Sequence, residues 1–279
     1  MRTTFQSNDG ARLAGEWRFA EAPRAVAVLH GATGVPAGYY GPFADWMAAE
    51  RRVHVLIYDY RDTGWSADGP VRRSRARMSD WGVADQSAAL DHALATFPDL
   101  PVWTIGHSLG GMCLAFHENA DRVERHIAIA SGPAHWTRHP WHFMPQVLAF
   151  WFLIGPLATR LRGYLPGAAM GLKANLPAGV FWQWRRWCTS REFHRIDWGG
   201  VMPEPQPSRV RCPVELVAFE DDVMIPPYQV QALAAFYPLA EVSFRSIAPR
   251  AVGLKGIGHI AGFARRSAAA WPRMVPEFA

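Results

Sequence analysis

The chain is nearly without lysine: of 29 basic side chains only Lys173 and Lys255 are lysines, and arginine supplies the rest. The formal net charge is +5, but a nucleic-acid role needs cations gathered on one face or in a recognised motif. The one dense cluster, Arg72, Arg73, Arg75 and Arg77, reads as a solvated loop, so no nucleic acid is expected as a partner. Cysteine is scarce as well. Cys113, Cys188 and Cys212 are odd in number, widely spaced and without a CxxC pair, which excludes a disulfide framework and fits a reducing, cytoplasmic compartment. The opening residues MRTTFQSNDG hold no apolar signal-type region, and no secretory leader is expected. The uncharged run at 143–158 counts 16 residues and is bracketed by Pro145 and Pro156. That is short of a transmembrane span, and we read it as a buried or substrate-facing helix, with peripheral membrane contact left open. No dinucleotide glycine fingerprint or phosphate loop occurs, so no cofactor is expected. Internal repeats and low-complexity segments are absent too.

What the chain does have is apolar bulk. Hydrophobic residues make up 49% of its 279 positions, which excludes a disordered chain and allows a large core. The N-terminal stretch TFQSNDGARLAGEWRF reads as two strands around an Asn8-Asp9-Gly10 turn. Short apolar runs follow at 25–31, 53–60, 101–107, 125–131, 213–220 and 241–248. They are continuous in Val, Ile and Leu, the pattern of strands buried on both faces of a parallel sheet. Helical patterns lie between them near 39–50, 79–97, 109–120, 227–237 and 260–270, and Ser79 or Asp80 is placed to cap the second. The alternation predicts an α/β fold with a doubly wound, mostly parallel sheet. One interval breaks the rhythm. From 133 to 210 no strand pattern is visible, yet seven of the 13 tryptophans fall there, with Trp184 and Trp187 spaced to share a helical face. We expect this interval to be a helical cap inserted after the sixth strand, leaving 1–132 and 211–279 as the core.

Within that core, Gly106-His107-Ser108-Leu109-Gly110 ends an apolar run and opens a helical pattern. A serine there sits in a tight strand-to-helix turn, where glycines on either side leave the room it needs. A hydroxyl is a weak nucleophile until a base takes its proton. His259, in GIGHIAGF, follows the last strand and is the expected base; His107 lies inside the turn and points away from Ser108. The imidazole needs a carboxylate to fix its tautomer, and Glu220, Asp221 and Asp222 end the penultimate strand. Asp222 is preferred, with Asp221 the alternative. For a developing oxyanion the expected donors are the backbone N–H groups of Leu109 and of Ala32, the latter in LHGATG. His135, His139 and His142 also cluster, but Pro140 breaks any shared helical face and no carboxylate is near, so no metal is expected.

These pieces together resemble the α/β-hydrolase fold over nearly the whole chain, through LHGATG, YDYRDTGWS, TIGHSLGG, FEDDVMIP and GIGHIAGF. The stretch HGATGVPAGYYGPFADWMA is similar to the monoacylglycerol-lipase-like and serine-aminopeptidase-like branch, and YLPG with GLKANLPAGVFWQWRRWC resembles a bacterial group of predicted α/β hydrolases. Asp62 in YRDTGWS stands where relatives often have glycine; it concerns a turn only. The resemblance implies Ser108 as nucleophile, Asp222 as acid, His259 as base, and Ala32 and Leu109 as oxyanion donors. It further implies a serine hydrolase whose partner is a small-molecule carboxylic ester, with the aromatic cap favouring an apolar acyl or aromatic group. Thioester, amide and acyl-transfer chemistry use the same three residues, and a non-catalytic binding protein on this scaffold is the competing class.

Overall fold

In the computed structural model, which describes residues 1–277, the chain opens with a hairpin of β1 (Arg2–Gln6) and β2 (Arg12–Arg18). Gly10 takes φ +85° in its turn, a backbone region open to glycine. The chain then alternates through β3 (Ala25–His30), α1 (Gly41–Arg51), β4 (Val53–Asp59), α2 (Gln86–Thr96), β5 (Val102–His107) and β6 (Val123–Ile129). It returns to the sheet only after a long excursion that carries the short strands β7 (Tyr164–Leu165) and β8 (Leu176–Pro177). With β9 (Val214–Phe219) and β10 (Val242–Ile247) the sheet has eight strands in the order β1-β2-β4-β3-β5-β6-β9-β10. The first three in that order pair antiparallel and every later pair is parallel. The doubly wound, mostly parallel sheet expected from the apolar runs is therefore present.

Alternate residues of each central strand feed two separate cores. Val26 and Val28 of β3, with Leu56 and Tyr58 of β4, join one apolar cluster; Ala25, Ala27 and Leu29, with Val55 and Ile57, join the other. A period of two is what a pleated strand buried on both faces imposes, and it is why these runs carry no polar alternation.

Some helices differ from expectation. The stretch expected as a helix over 109–120 is instead a series of 3₁₀ turns, Ser108–Gly111, Leu114–Phe116 and Ala120–Arg122. Two consecutive glycines weaken its first turn, and the His117 ring holds its far end to the Gly82 carbonyl at 3.0 Å. The helix over 79–97 begins at Met78 and passes through a wide π turn, Asp80–Asp85, before α2. Asp80, not Ser79, serves its start by accepting the Arg77 N–H at 2.7 Å.

Between β6 and β9 the chain leaves the sheet. A continuous helical stretch, Trp141–Arg162, is built of a 3₁₀ turn (Trp141–Phe143), α3 (Met144–Leu148), a π turn (Ala149–Ile154) and α4 (Gly155–Arg162). Gly163, at φ +74°, ends it in the left-handed conformation usual for a helix stop. The β7–β8 pair and α5 (Ala178–Thr189) follow. After β9 come α6 (Pro227–Ala232), α7 (Gly258–Ala261) and α8 (Trp271–Met274). The single helix expected over 260–270 is thus broken up. At the break a Cβ on Gly262 would lie 2.4 Å from the Phe219 ring, so the backbone approaches the sheet more closely there than a regular helix permits.

Candidate active site

Ser108 caps the carboxyl end of β5, near the middle of the sheet. Its φ is +54°, a strained value for a residue with a side chain. The neighbouring glycines explain how the turn is reached at all. A Cβ at Gly106 would sit 2.3 Å from the Gly110 carbonyl, and one at Gly110 would sit 2.1 Å from the His30 carbonyl oxygen. Either methyl would force the turn open.

His259 lies in α7, and its Nδ1 meets Asp222 Oδ2 at 2.7 Å. Both groups are buried, Asp222 at 2% exposure and His259 at 8%. The second carboxylate oxygen, Oδ1, accepts the Met224 and Ile225 N–H groups at 2.8 and 2.9 Å. Asp222 is thereby aimed by its own turn. Asp221 points elsewhere: its two oxygens accept the N–H groups of Ile257 and Gly258 at 2.7 and 3.0 Å. Adjacent carboxylates thus divide the work, one meeting the imidazole and the other pinning the loop that carries it.

Ser108 and His259 open onto one cavity of about 340 Å³. Among the described residues no hydrogen bond joins the Ser108 hydroxyl to the imidazole, a contact that commonly tightens only when substrate is bound. From the sheet side the wall includes Leu109, Met112, Met224 and Ile225; from the excursion it includes Phe150, Trp151, Trp184 and Trp187. The lining is overwhelmingly apolar, with Thr33, His139 and Gln146 its polar members beside the serine and imidazole. Residues 20–177 match the family described as serine aminopeptidase, S33.

The chain belongs to that family. The matched stretch includes Ala32, Ser108 and Leu109 and stops short of Asp222 and His259. Solved structures show the same α/β-hydrolase fold at low identity. A soluble variant of monoglyceride lipase from Saccharomyces cerevisiae, in complex with a substrate analog, is 14% identical with a TM-score of 0.68, covering 97% of this chain and 92% of that one. An esterase from Pyrococcus furiosus is 12% identical with a TM-score of 0.63, over 98% and 87% of the two chains. Est816, described as an N-acyl homoserine lactone degrading enzyme, is 22% identical with a TM-score of 0.56, over 94% and 96%. No curated protein matches the chain.

In this S33-family chain one expectation needs correction. Ala32 does not line the cavity with Ser108; its N–H donates at 2.7 Å to the hydroxyl of Tyr40, a side chain 1% exposed. The hydroxyl in turn meets His107 Nδ1 at 2.9 Å, while His107 Nε2 meets the His259 carbonyl oxygen at 2.9 Å. A carbonyl only accepts, so Nε2 carries the proton, Nδ1 accepts, and Tyr40 donates to it. Burial pushes the His107 imidazole well below the usual histidine range, which keeps this neutral tautomer. His107 does point away from Ser108, and it links the loop of the histidine to the loop after β3 through Tyr40. Nothing in the periodicity of the sequence marks that link. The next residue, Thr33, does line the cavity, and its N–H has no partner among the described residues. The three cap histidines diverge: His135 Nδ1 meets the Thr137 hydroxyl at 2.7 Å, His139 Nδ1 donates to the Val223 carbonyl at 3.2 Å, and His142 packs edge-on to Trp141.

Proposed function

We propose that the chain is a serine hydrolase that cleaves carboxylic esters carrying an apolar acyl or aromatic group through an acyl-enzyme. The observation that carries this reading is the 2.7 Å Asp222–His259 contact at a cavity that also holds Ser108. In the first half-reaction the Ser108 oxygen attacks the ester carbonyl carbon and His259 Nε2 takes the hydroxyl proton. Asp222 Oδ2 accepts a hydrogen bond from Nδ1–H and stabilises the imidazolium. Collapse of the tetrahedral intermediate breaks the bond to the alcohol oxygen, which leaves with the proton from His259. Water, deprotonated by the same imidazole, then attacks the acyl carbon; collapse breaks the bond to the Ser108 oxygen, which regains the proton from His259 as the acid leaves. The oxyanion is met by the N–H groups of Leu109 and Thr33, both at the cavity; each such donor is worth roughly 2.7–4 kcal/mol in acyl transfer.

The fold neighbours agree in chemical direction, since one is a monoglyceride lipase and another degrades a lactone, which is a cyclic ester. The aromatic wall supports the apolar preference, because residues 133–210, taken as a cap on a core of 1–132 and 211–279, supply Phe150, Trp151 and Trp184. The three cysteines are free and buried, which suits a cytoplasmic protein. Labelling by a fluorophosphonate probe tests the reading directly. The folded wild type should label and Ser108→Ala should not; acyl esters of graded chain length then map the pocket. A folded wild type that stays unlabelled and hydrolyses no ester in the series overturns the assignment.

A further inference from the structure

The excursion carries an apolar face that the proposed reaction leaves unused. Along the helical stretch Trp141–Arg162, one side meets the cavity through Val147, Phe150 and Trp151. The other side is open. Leu153, Leu157 and Leu161 are 63%, 55% and 78% exposed, and at four-residue spacing they stack along one stripe. Isolated exposed leucines need no explanation, but a contiguous stripe on a helix marks an interaction surface.

Charge indicates what covers it. Between Glu124 and Glu192 the chain contains no aspartate or glutamate, whereas seven arginines and Lys173 fall inside that interval. Ordinary solvated surfaces intersperse both signs. Arg160 and Arg162 sit in the last turn of the helix. The exposed arginine cluster joins them there, because a Cβ on Gly163 would lie 3.8 Å from the Cβ of Arg72. The leucine stripe therefore ends in a rim of arginines drawn from two separate segments. By length and composition this stretch could cross a membrane, but Trp151, Gly155, Pro156 and Thr159 are buried within the protein. Its inner side is thus committed to packing, and only its outer side is free.

We infer that this face docks on the surface of an anionic phospholipid bilayer, with the helix in the plane of the interface, the leucines in the acyl boundary and the arginines against the headgroups. The docking is independent of the ester chemistry and is read without turnover. The test is co-sedimentation with vesicles of phosphatidylglycerol and phosphatidylcholine, against vesicles of phosphatidylcholine alone, at low and high salt. Wild type should pellet with the anionic vesicles and bind about tenfold or more weakly to the neutral ones or at high salt. Leu153→Ser/Leu157→Ser/Leu161→Ser and, separately, Arg72→Gln/Arg73→Gln should each weaken binding by about tenfold. Both variants change exposed positions outside the cavity and should keep wild-type thermal midpoints and probe labelling. Wild type remaining in the supernatant with anionic vesicles at low salt overturns the inference. So does undiminished binding by the folded leucine variant, or a stable dimer in sedimentation velocity that this variant dissolves.

Discussion

The carboxyl end of the sheet and the cap above it are built by different means. Around Ser108 the polar side chains are tied by directional bonds: Asp222 to His259, Asp221 to the loop before it, His107 to Tyr40 and to the His259 carbonyl. Even His30, at the end of β3, meets the Tyr58 hydroxyl at 2.7 Å. Where the cap walls the cavity it packs aromatic edges on faces, as in Trp151 against Trp184 at 4.9 Å and 88°, or Phe150 against Trp151 at 4.7 Å and 76°. Directional bonds fix atoms to within a fraction of an ångström, as bond-making requires. Apolar contacts fix a volume and its chemistry but tolerate rearrangement. On the proposed reading, one region suits the bond that breaks and the other the choice of what is brought to it.

The contrast is most severely tested where two adjacent carboxylates do different things. Asp222→Asn leaves the side-chain volume intact but cannot hold the imidazole in its working tautomer, and kcat should fall by about 10⁴. Asp221→Asn loosens only the loop and should cost about tenfold, through positioning. Steady-state kinetics on one ester reads both. Equal losses, or the larger loss at Asp221, would dissolve the division of labour. The cap should respond differently. Trp184→Ala removes an aromatic wall, so kcat/KM for esters that fill the cavity should drop about 10- to 100-fold while an acetyl ester is hardly affected. A uniform loss along the chain-length series would mean that Trp184 positions the triad and does not select the acyl group.

Much of the sheet side was legible in the sequence because its constraints are local. Strands buried on both faces read as continuous apolar runs, and the turn at Ser108 needs small neighbours at fixed offsets, which Gly106 and Gly110 provide. What escaped depends on tertiary reach. Ala32 loses its expected place because Tyr40, eight residues on, folds back beneath the loop and takes its N–H. Asp221 and Asp222 are indistinguishable as letters. Their roles part only because the backbone turn offers the N–H groups of Met224 and Ile225 to one and those of Ile257 and Gly258 to the other. The run at 143–158 was expected to be buried or substrate-facing, and it is so on one side only. Its uniform hydropathy has no period to reveal that Val147 and Trp151 turn inward while Leu153 and Leu157 face out.

The smallest effect comes from the distribution of carboxylates. None lies between Glu124 and Glu192, so the carboxylates that acid titrates lie elsewhere in the chain. Asp9, in the first hairpin turn, is one such group. A hydrogen bond from Arg61, reinforced by the Ser7 hydroxyl, holds its carboxyl down to about 2, and Arg61 is also paired with the buried Asp85 at 2.7 Å. The unfolded chain protonates this carboxyl near the ordinary value of about 3.9, above the folded value. Between those values the unfolded state binds more protons, so the stabilisation is present above about pH 4 and drains away as pH falls toward 2. Its size is modest, about 0.2–1 kcal/mol, because the Asp9 end of the pair faces solvent. Asp9→Asn should therefore lower the thermal midpoint slightly at pH 7 and leave it unchanged relative to wild type near pH 2. Calorimetry that finds the difference between the two proteins growing toward acid would show that Arg61 is not what holds Asp9 ionised.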